Sequence, residues 1–209
     1  MSKKVILAAG ARPNFMKIAP LYRELKKSSS ITPLILHTGQ HNRKNMSDVF
    51  FKDLQLPPPH ISFSIKGHSP SELSLFMKRE LDKLFSQKPC DLLIVVGDVT
   101  STFATALSGS KYGIPIAHVE AGLRSFDLSM PEEINRIFTD HLSDYLFTTS
   151  RYASENLKKE KIPESKIFFT GNVMIDTLIS FRPQALKSDI LSRFNLEKKE
   201  YALLTLHRP

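Results

Sequence analysis

Short apolar runs alternate along this chain with stretches whose apolar residues recur every three or four positions. Residues 5–9 (VILAA) read as a buried strand, and residues 14–27 as a helix with Phe15, Ile18, Tyr22 and Leu25 on one face. The alternation continues with a strand at 32–38 and a helix at 43–54 that turns Val49, Phe50 and Leu54 inward. Pro57-Pro58-Pro59 then interrupts, a run that neither a helix nor a central strand accepts. A short strand at 61–65 precedes a helix at 70–85 with Leu73, Phe76, Met77, Leu81 and Leu84 as its stripe. The clearest buried strand is 91–96 (DLLIVV), followed by a helix at 100–112 and a strand at 114–119. Further pairs are the helix 131–143, opened by Pro131, with the strand 145–149, and the helix 152–160 with the strand 167–170. A helix at 173–181 ends the series. Such repetition predicts an α/β fold, a Rossmann-like parallel sheet with helices on both faces.

Arg182-Pro183 marks an expected boundary, so residues 1–182 read as an N-terminal Rossmann-like domain. Residues 183–194 read as one more helix and 201–206 (YALLTL) as a further strand. On this reading, 183–209 opens a truncated second Rossmann-like domain.

The net charge of +8 admits nucleic acid, a membrane surface or an anionic small ligand as partner. The basic residues are scattered in pairs such as Lys26-Lys27, Arg43-Lys44 and Lys158-Lys159, with no aromatic-laced stripe, so nucleic acid is not expected. No apolar run reaches the roughly 18 residues of a membrane span. Lys3-Lys4 before VILAAGA has the flavour of a signal peptide, but the run stops at Arg12, and a buried first strand is the better reading. Cys90 is the sole cysteine, which fits a reducing, cytoplasmic setting.

Ligands of open parallel sheets bind at the carboxyl ends of the strands. The polar residues expected there are Arg12 and Lys17, then Gln40 and His41, Asp98, Glu120, the loop carrying Arg124 into Glu132-Glu133 and Arg136, and finally His207 and Arg208. Each has a plain structural reading. Asp98 could cap the following helix, and Glu132 and Glu133 could offset a helix dipole. Glu132 and Arg136 could form an i,i+4 surface pair. Glu120 is harder to explain so, because a carboxylate at a buried strand end is costly unless paired or functional. Neither a metal cluster, a Walker loop, a nucleophile elbow nor G-x-G-x-x-G is present in the sequence. The loop GARPNFMKIAP, residues 10–20, has one glycine, with Arg12 at the mouth of a helix and Lys17 one turn deeper. Both could reach a phosphate there, or could be a surface base and a lysine whose stem lies along apolar surface. Pro20 should kink the helix or delay its regular part.

Taken together, GARPNFMKIAPL, TGQH, GDVTST, HVEAGLRSFDLSMPEEINR, TGNVMIDTL and LLTLHRP resemble the non-hydrolysing UDP-N-acetylglucosamine 2-epimerases in order and spacing. The resemblance covers essentially the whole chain, and HVEAGLR followed by PEEINR is its most specific element. Asn14 departs from the glutamate many members carry there. The resemblance implies two Rossmann-like domains in the glycosyltransferase-B arrangement, a UDP-sugar substrate held between them, a homodimer and no cofactor. It implies Asp98, Glu120 and Glu132 as catalytic carboxylates, and Arg12, Lys17, Gln40, His41, Arg136 and His207 as substrate-binding residues. A hydrolysing relative releasing UDP and N-acetylmannosamine, a glycosyltransferase of the same architecture and a non-catalytic UDP-sugar-binding module remain alternatives.

Overall fold

A computed structural model describes residues 2–39, 50–63, 70–87 and 90–206. Seven strands, β1 (Lys3–Ala9), β2 (Ile31–His37), β3 (Ile61–Ser62), β4 (Leu92–Val96), β5 (Ile116–Ala121), β6 (Tyr145–Thr148) and β7 (Ile167–Phe169), form one sheet. Every ladder is parallel, in the order β3-β2-β1-β4-β5-β6-β7. The α-helices with both ends among the described residues are α1 (Arg12–Lys26), α2 (Pro70–Gln87), α3 (Thr100–Lys111), α4 (Pro131–Leu142), α5 (Arg151–Lys159), α6 (Val173–Ala185) and α7 (Ile190–Arg193).

Both faces of the central strands are covered, which is why β1 and β4 are apolar at nearly every position. Val5, Leu7, Ala9, Ile94 and Val96 pack on one face with Phe15, Ile18, Ala19 and Tyr22 of α1. Ile6, Ala8, Leu93 and Val95 pack on the other with Met77 and Leu81 of α2 and Ala106 of α3. A fully buried side chain such as Leu7 contributes about 2 kcal/mol by leaving water. The chain leaves β1 through α1 on one face and β4 through α3 on the other. Adjacent strands that depart in opposite directions leave a crevice at their carboxyl ends, where α/β sheets bind ligands.

The α/β architecture expected from the sequence is thus what the chain adopts, with differences at its irregular points. Helix α1 begins at Arg12 and runs unbroken through Pro20. Proline has no N–H for the carbonyl four residues back, here that of Met16. The Thr177 hydroxyl of α6 donates to that carbonyl at 2.6 Å, so a group 161 residues away takes the place of the missing amide. This bond joins α6 to α1, beside the packing of Val173 and Phe181 on the α1 cluster. Helix α6 continues past Phe181 to Ala185, and the expected helix at 183–194 is instead the end of α6 and the short α7. Residues 201–206 form no strand; Leu203, Leu204 and Leu206 are about four-fifths exposed. An isolated strand needs a ladder neighbour and an apolar face to lie on. Of the helix expected at 43–54, residues 50–53 are helical and 43–49 lie outside the described residues.

Thr177→Val should cost about 1 to 2 kcal/mol by stranding the Met16 carbonyl. In a Pro20→Ala background, where the amide returns, most of that cost should vanish. Urea unfolding of the four variants of this cycle measures the coupling.

Candidate active site

At the crevice, the Lys17 ammonium meets both oxygens of Glu120, at 2.8 Å each. The two side chains are only 9% and 17% exposed, so this is a largely desolvated pair rather than a surface contact. Glu120 reaches Lys17 because β5 is irregular. Its register against β6 slips between Val119 and Ala121, and Glu120 stands at φ +75°. In an even strand Glu120 would share the face of Ile116 and His118, away from α1. The bulge turns it instead toward the edge where α1 begins, at a strain of about 1 kcal/mol for a residue with a Cβ. Gly97, at the end of β4, makes room for the partner. A Cβ there would lie 2.8 Å from the Lys17 ammonium nitrogen, and its φ of +70° also favours glycine.

Asn14 ties the opening loop to this turn. Its Oδ1 accepts from the Gly10 and Ala11 amides at 3.2 and 2.9 Å, and its Nδ2 donates to the Val96 carbonyl at 3.0 Å. The residue is 2% exposed and uses both ends of its amide. Arg12 sits exposed in the first turn of α1 beside that loop.

Asp98 does not cap α3. The cap position is Val99, without a side-chain bond. The Asp98 carboxylate instead receives the Arg136 guanidinium at 2.5 Å, and its carbonyl receives the Asn135 side chain at 2.9 Å. Arg136 does not form the surface pair with Glu132. Its other arm meets Glu133, one residue on, at 2.9 Å. Glu133 also accepts the Ser125 and Phe126 amides at 3.0 Å each, which pins the β5–α4 loop. Glu132 lies half-buried in the first turn of the helix that delivers Arg136. Of the nine site residues that the resemblance implies, Lys17 and Glu120 are thus directly paired, as are Asp98 and Arg136. Arg12 and Glu132 occupy the first turns of α1 and α4, while Gln40, His41 and His207 lie outside the described residues.

A second group of buried charges stands behind this one. Asp140 and His118 are fully buried and meet at 2.6 Å. The other His118 nitrogen lies 2.9 Å from the Gly97 carbonyl. The second Asp140 oxygen takes Arg124 at 2.8 Å and the Gly122 amide at 3.1 Å. Arg124 then forks onto Glu160 at 2.6 and 2.7 Å. The ends of the strands point to Glu133 only as a first-turn acid that offsets a helix dipole, and they do not point to Asp140 at all. Their signal is spacing: 133, 136 and 140 fall on one face of α4, so its inward stripe is charged rather than apolar.

Burial works to raise the carboxyl pKa of Asp140, but His118 and Arg124 outweigh it and the net direction is down. Burial is likewise outweighed at Glu133, by the Ser125 and Phe126 amides and Arg136. A carboxyl lowered in the folded state stabilises above its unfolded pKa, near 4, and that contribution is lost as pH falls through the folded value. Urea midpoints should therefore drop as pH falls below about 4, and less steeply in Glu133→Gln. A second outcome follows from the backbone of Glu120. Both Glu120→Gly and Glu120→Ala remove the ion pair, yet the glycine variant should be about 1 kcal/mol more stable, since it alone relieves the positive φ. That order reverses the one ordinary in strand interiors, and the same urea titration reads it.

The family model described as UDP-N-acetylglucosamine 2-epimerase matches residues 23–209. A UDP-N-acetylglucosamine 2-epimerase homolog of Methanococcus maripaludis is 44% identical over 98% of this chain and 57% of its own length. The UDP-2,3-diacetamido-2,3-dideoxy-D-glucuronate 2-epimerase of Pseudomonas aeruginosa is 39% identical over the same shares. Among solved structures, that of Methanocaldococcus jannaschii UDP-GlcNAc 2-epimerase in complex with UDP-GlcNAc and UDP superposes with a TM-score of 0.85 at 41% identity, covering 91% of this chain and 52% of the other. The chain spans a little over half the length of the curated relatives it matches. The chain belongs to the UDP-N-acetylglucosamine 2-epimerase family.

Proposed function

We propose that this chain is the N-terminal portion of a non-hydrolysing UDP-N-acetylglucosamine 2-epimerase. It would interconvert UDP-N-acetylglucosamine and UDP-N-acetylmannosamine, as a cytoplasmic homodimer in its complete form. Residues 1–182 form its first domain on this reading, and 183–209 lead into a second that closes the crevice. The observation that carries the reading is the Lys17–Glu120 pair at the switch point, with Asp98–Arg136 beside it. A cation and a carboxylate held together in a dry crevice suit a reaction that separates charge.

The hydrogen at C2 of the sugar is not adjacent to a carbonyl, so its direct removal is difficult. Elimination avoids the difficulty. The C1–O bond breaks and its electron pair leaves on the diphosphate, building positive charge at C1. The C2 proton passes to a carboxylate, and the C2–H electron pair becomes the C1–C2 double bond of a glycal. Re-addition of the diphosphate, with a proton delivered to the other face of C2, gives the epimer. Arg12 and Lys17, with His207, would hold the charge that develops on the leaving diphosphate. Asp98, Glu120 and Glu132 would face the C1 cation and exchange the C2 proton. Arg136 steadies Asp98, and Gln40 and His41 would lie near the sugar nucleotide. Arrival of a diphosphate offers Lys17 a second anion, which loosens its hold on Glu120 and frees that carboxylate for work at the sugar.

Turnover of UDP-N-acetylglucosamine by the complete polypeptide in deuterated water should place deuterium at C2 of the epimer, read by proton NMR. Turnover without deuterium at C2 would overturn the elimination. Release of free N-acetylmannosamine in place of the epimeric nucleotide would overturn the non-hydrolysing assignment. The 39% identity to the Pseudomonas aeruginosa enzyme supports a second reading, a UDP-linked diacetamido uronate as substrate. The same assay with that nucleotide decides between them by the ratio of kcat/KM.

A further inference from the structure

His118 lies outside the roles assigned so far, yet it is fully buried and both its ring nitrogens are engaged. The partners are a carboxylate oxygen of Asp140 at 2.6 Å and the main-chain carbonyl oxygen of Gly97 at 2.9 Å. Both can only accept while Asp140 is ionised. A neutral imidazole carries one N–H and one lone pair. In either tautomer, one contact would set a lone pair against an oxygen. Moving the proton to Asp140 would relieve the contact at Nδ1. It would also leave Arg124, 2.8 Å from the second carboxylate oxygen, beside a neutral acid. Counting charge leads the same way. Arg124 and a charged His118 balance Asp140 and Glu160, whereas a neutral ring leaves the group one negative charge in excess.

We propose that His118 is a positioning residue: held doubly protonated by Asp140, its Nε2–H grips the Gly97 carbonyl and fixes the turn that places Lys17 and Asp98. Both peptide units that flank the Gly97 Cα are then held, because the Gly97 N–H already donates to the Val119 carbonyl at 3.1 Å. The grip matters at this residue more than at its neighbours. Gly97 stands at φ +70°, a conformation glycine leaves freely, and Lys17 occupies the space where a side chain would be. Rotation of the peptide after Gly97 would swing Asp98 off Arg136. Among the described residues, the titratable groups that meet His118 are Asp140 from α4 and, through that carboxylate, Arg124 from the β5–α4 loop. Beyond them lie Glu160, at the end of α5, and His141, 4.0 Å from Glu160. The assignment deepens the epimerase reading and rests on it for the chemistry that Asp98 and Lys17 serve.

The first test needs no variant and no substrate. In the 209-residue chain labelled with 15N at histidine, His118 should show one-bond N–H correlations from both ring nitrogens near neutral pH. One protonated and one bare nitrogen would overturn the proposal. The second test compares His118→Leu with His118→Gln, whose side-chain amide can still donate to the Gly97 carbonyl, in the complete polypeptide. The leucine variant should lower kcat about 100-fold with KM little changed, as expected when bound substrate meets a displaced group. The glutamine variant should recover at least about tenfold of that loss. Equal kcat in the leucine variant and the unaltered polypeptide, or equal loss in both variants, would overturn the positioning role. The ring spectrum tests the grip even where the epimerase reading fails, so the two failures are distinguishable.

Discussion

Charge at the carboxyl edge of a buried parallel sheet survives only where an opposite charge or a set of donors meets it. That constraint orders this molecule from β1 to α5. Lys17 answers Glu120, Arg136 answers Asp98 and Glu133, and Arg124 answers Asp140 and Glu160. The partners come from different elements, so each pair also fixes where one element ends relative to another. Removing Lys17 or Glu120 leaves its partner charged in a largely desolvated place, whereas Arg136 and Arg124 each keep a second carboxylate when one is removed. The result is a set of groups whose positions are mutually determined in the absence of any ligand, and such pre-organisation is the condition for electrostatic work on a developing charge.

Two layers can be distinguished. The outer one, Lys17, Glu120, Asp98 and Arg136, keeps partial access to solvent, and its ion pairs can be exchanged for contacts with a ligand. The inner one, His118, Asp140 and Arg124, is closed to solvent and has its donors and acceptors matched internally. Gly97 joins them: its carbonyl belongs to the inner layer and its missing side chain to the outer one. Asn14 performs a similar joining on the α1 side with a neutral amide in place of a charge.

The fold was largely legible in the sequence because strand–helix alternation is a periodic signal carried by many residues at once. The helix through Pro20 and the exposed segment 201–206 were not. Each depends on something outside its own window: Thr177 in the first case, and in the second a ladder neighbour absent among the described residues. At the site, Lys17 and Glu120 could be singled out as chemistry awaiting a partner, but not as partners of each other. Their meeting requires the bulge at Glu120, which no local pattern announces in a run reading IAHVEA. Asp98 was open to a reading as a helix cap for the same reason, since Arg136 lies 38 residues away in sequence. Asp140 carries no strand-end signal, because it acts from the C-terminal half of a helix.

The bond between Thr177 and the Met16 carbonyl also has a meaning in time. Residues 3–37 hold β1, α1 and β2, a compact unit whose contacts are local and can form early. Within it, the carbonyl that Pro20 leaves vacant has no local partner to wait with. At ribosomal speeds of about 5 to 20 residues per second, Thr177 follows Met16 by roughly 10 to 30 s. Through that interval α1 carries an open acceptor, solvated and specific in position, that only a segment far along the sequence will fill. An irregularity in α1 thus serves as an address for α6, 161 residues further along.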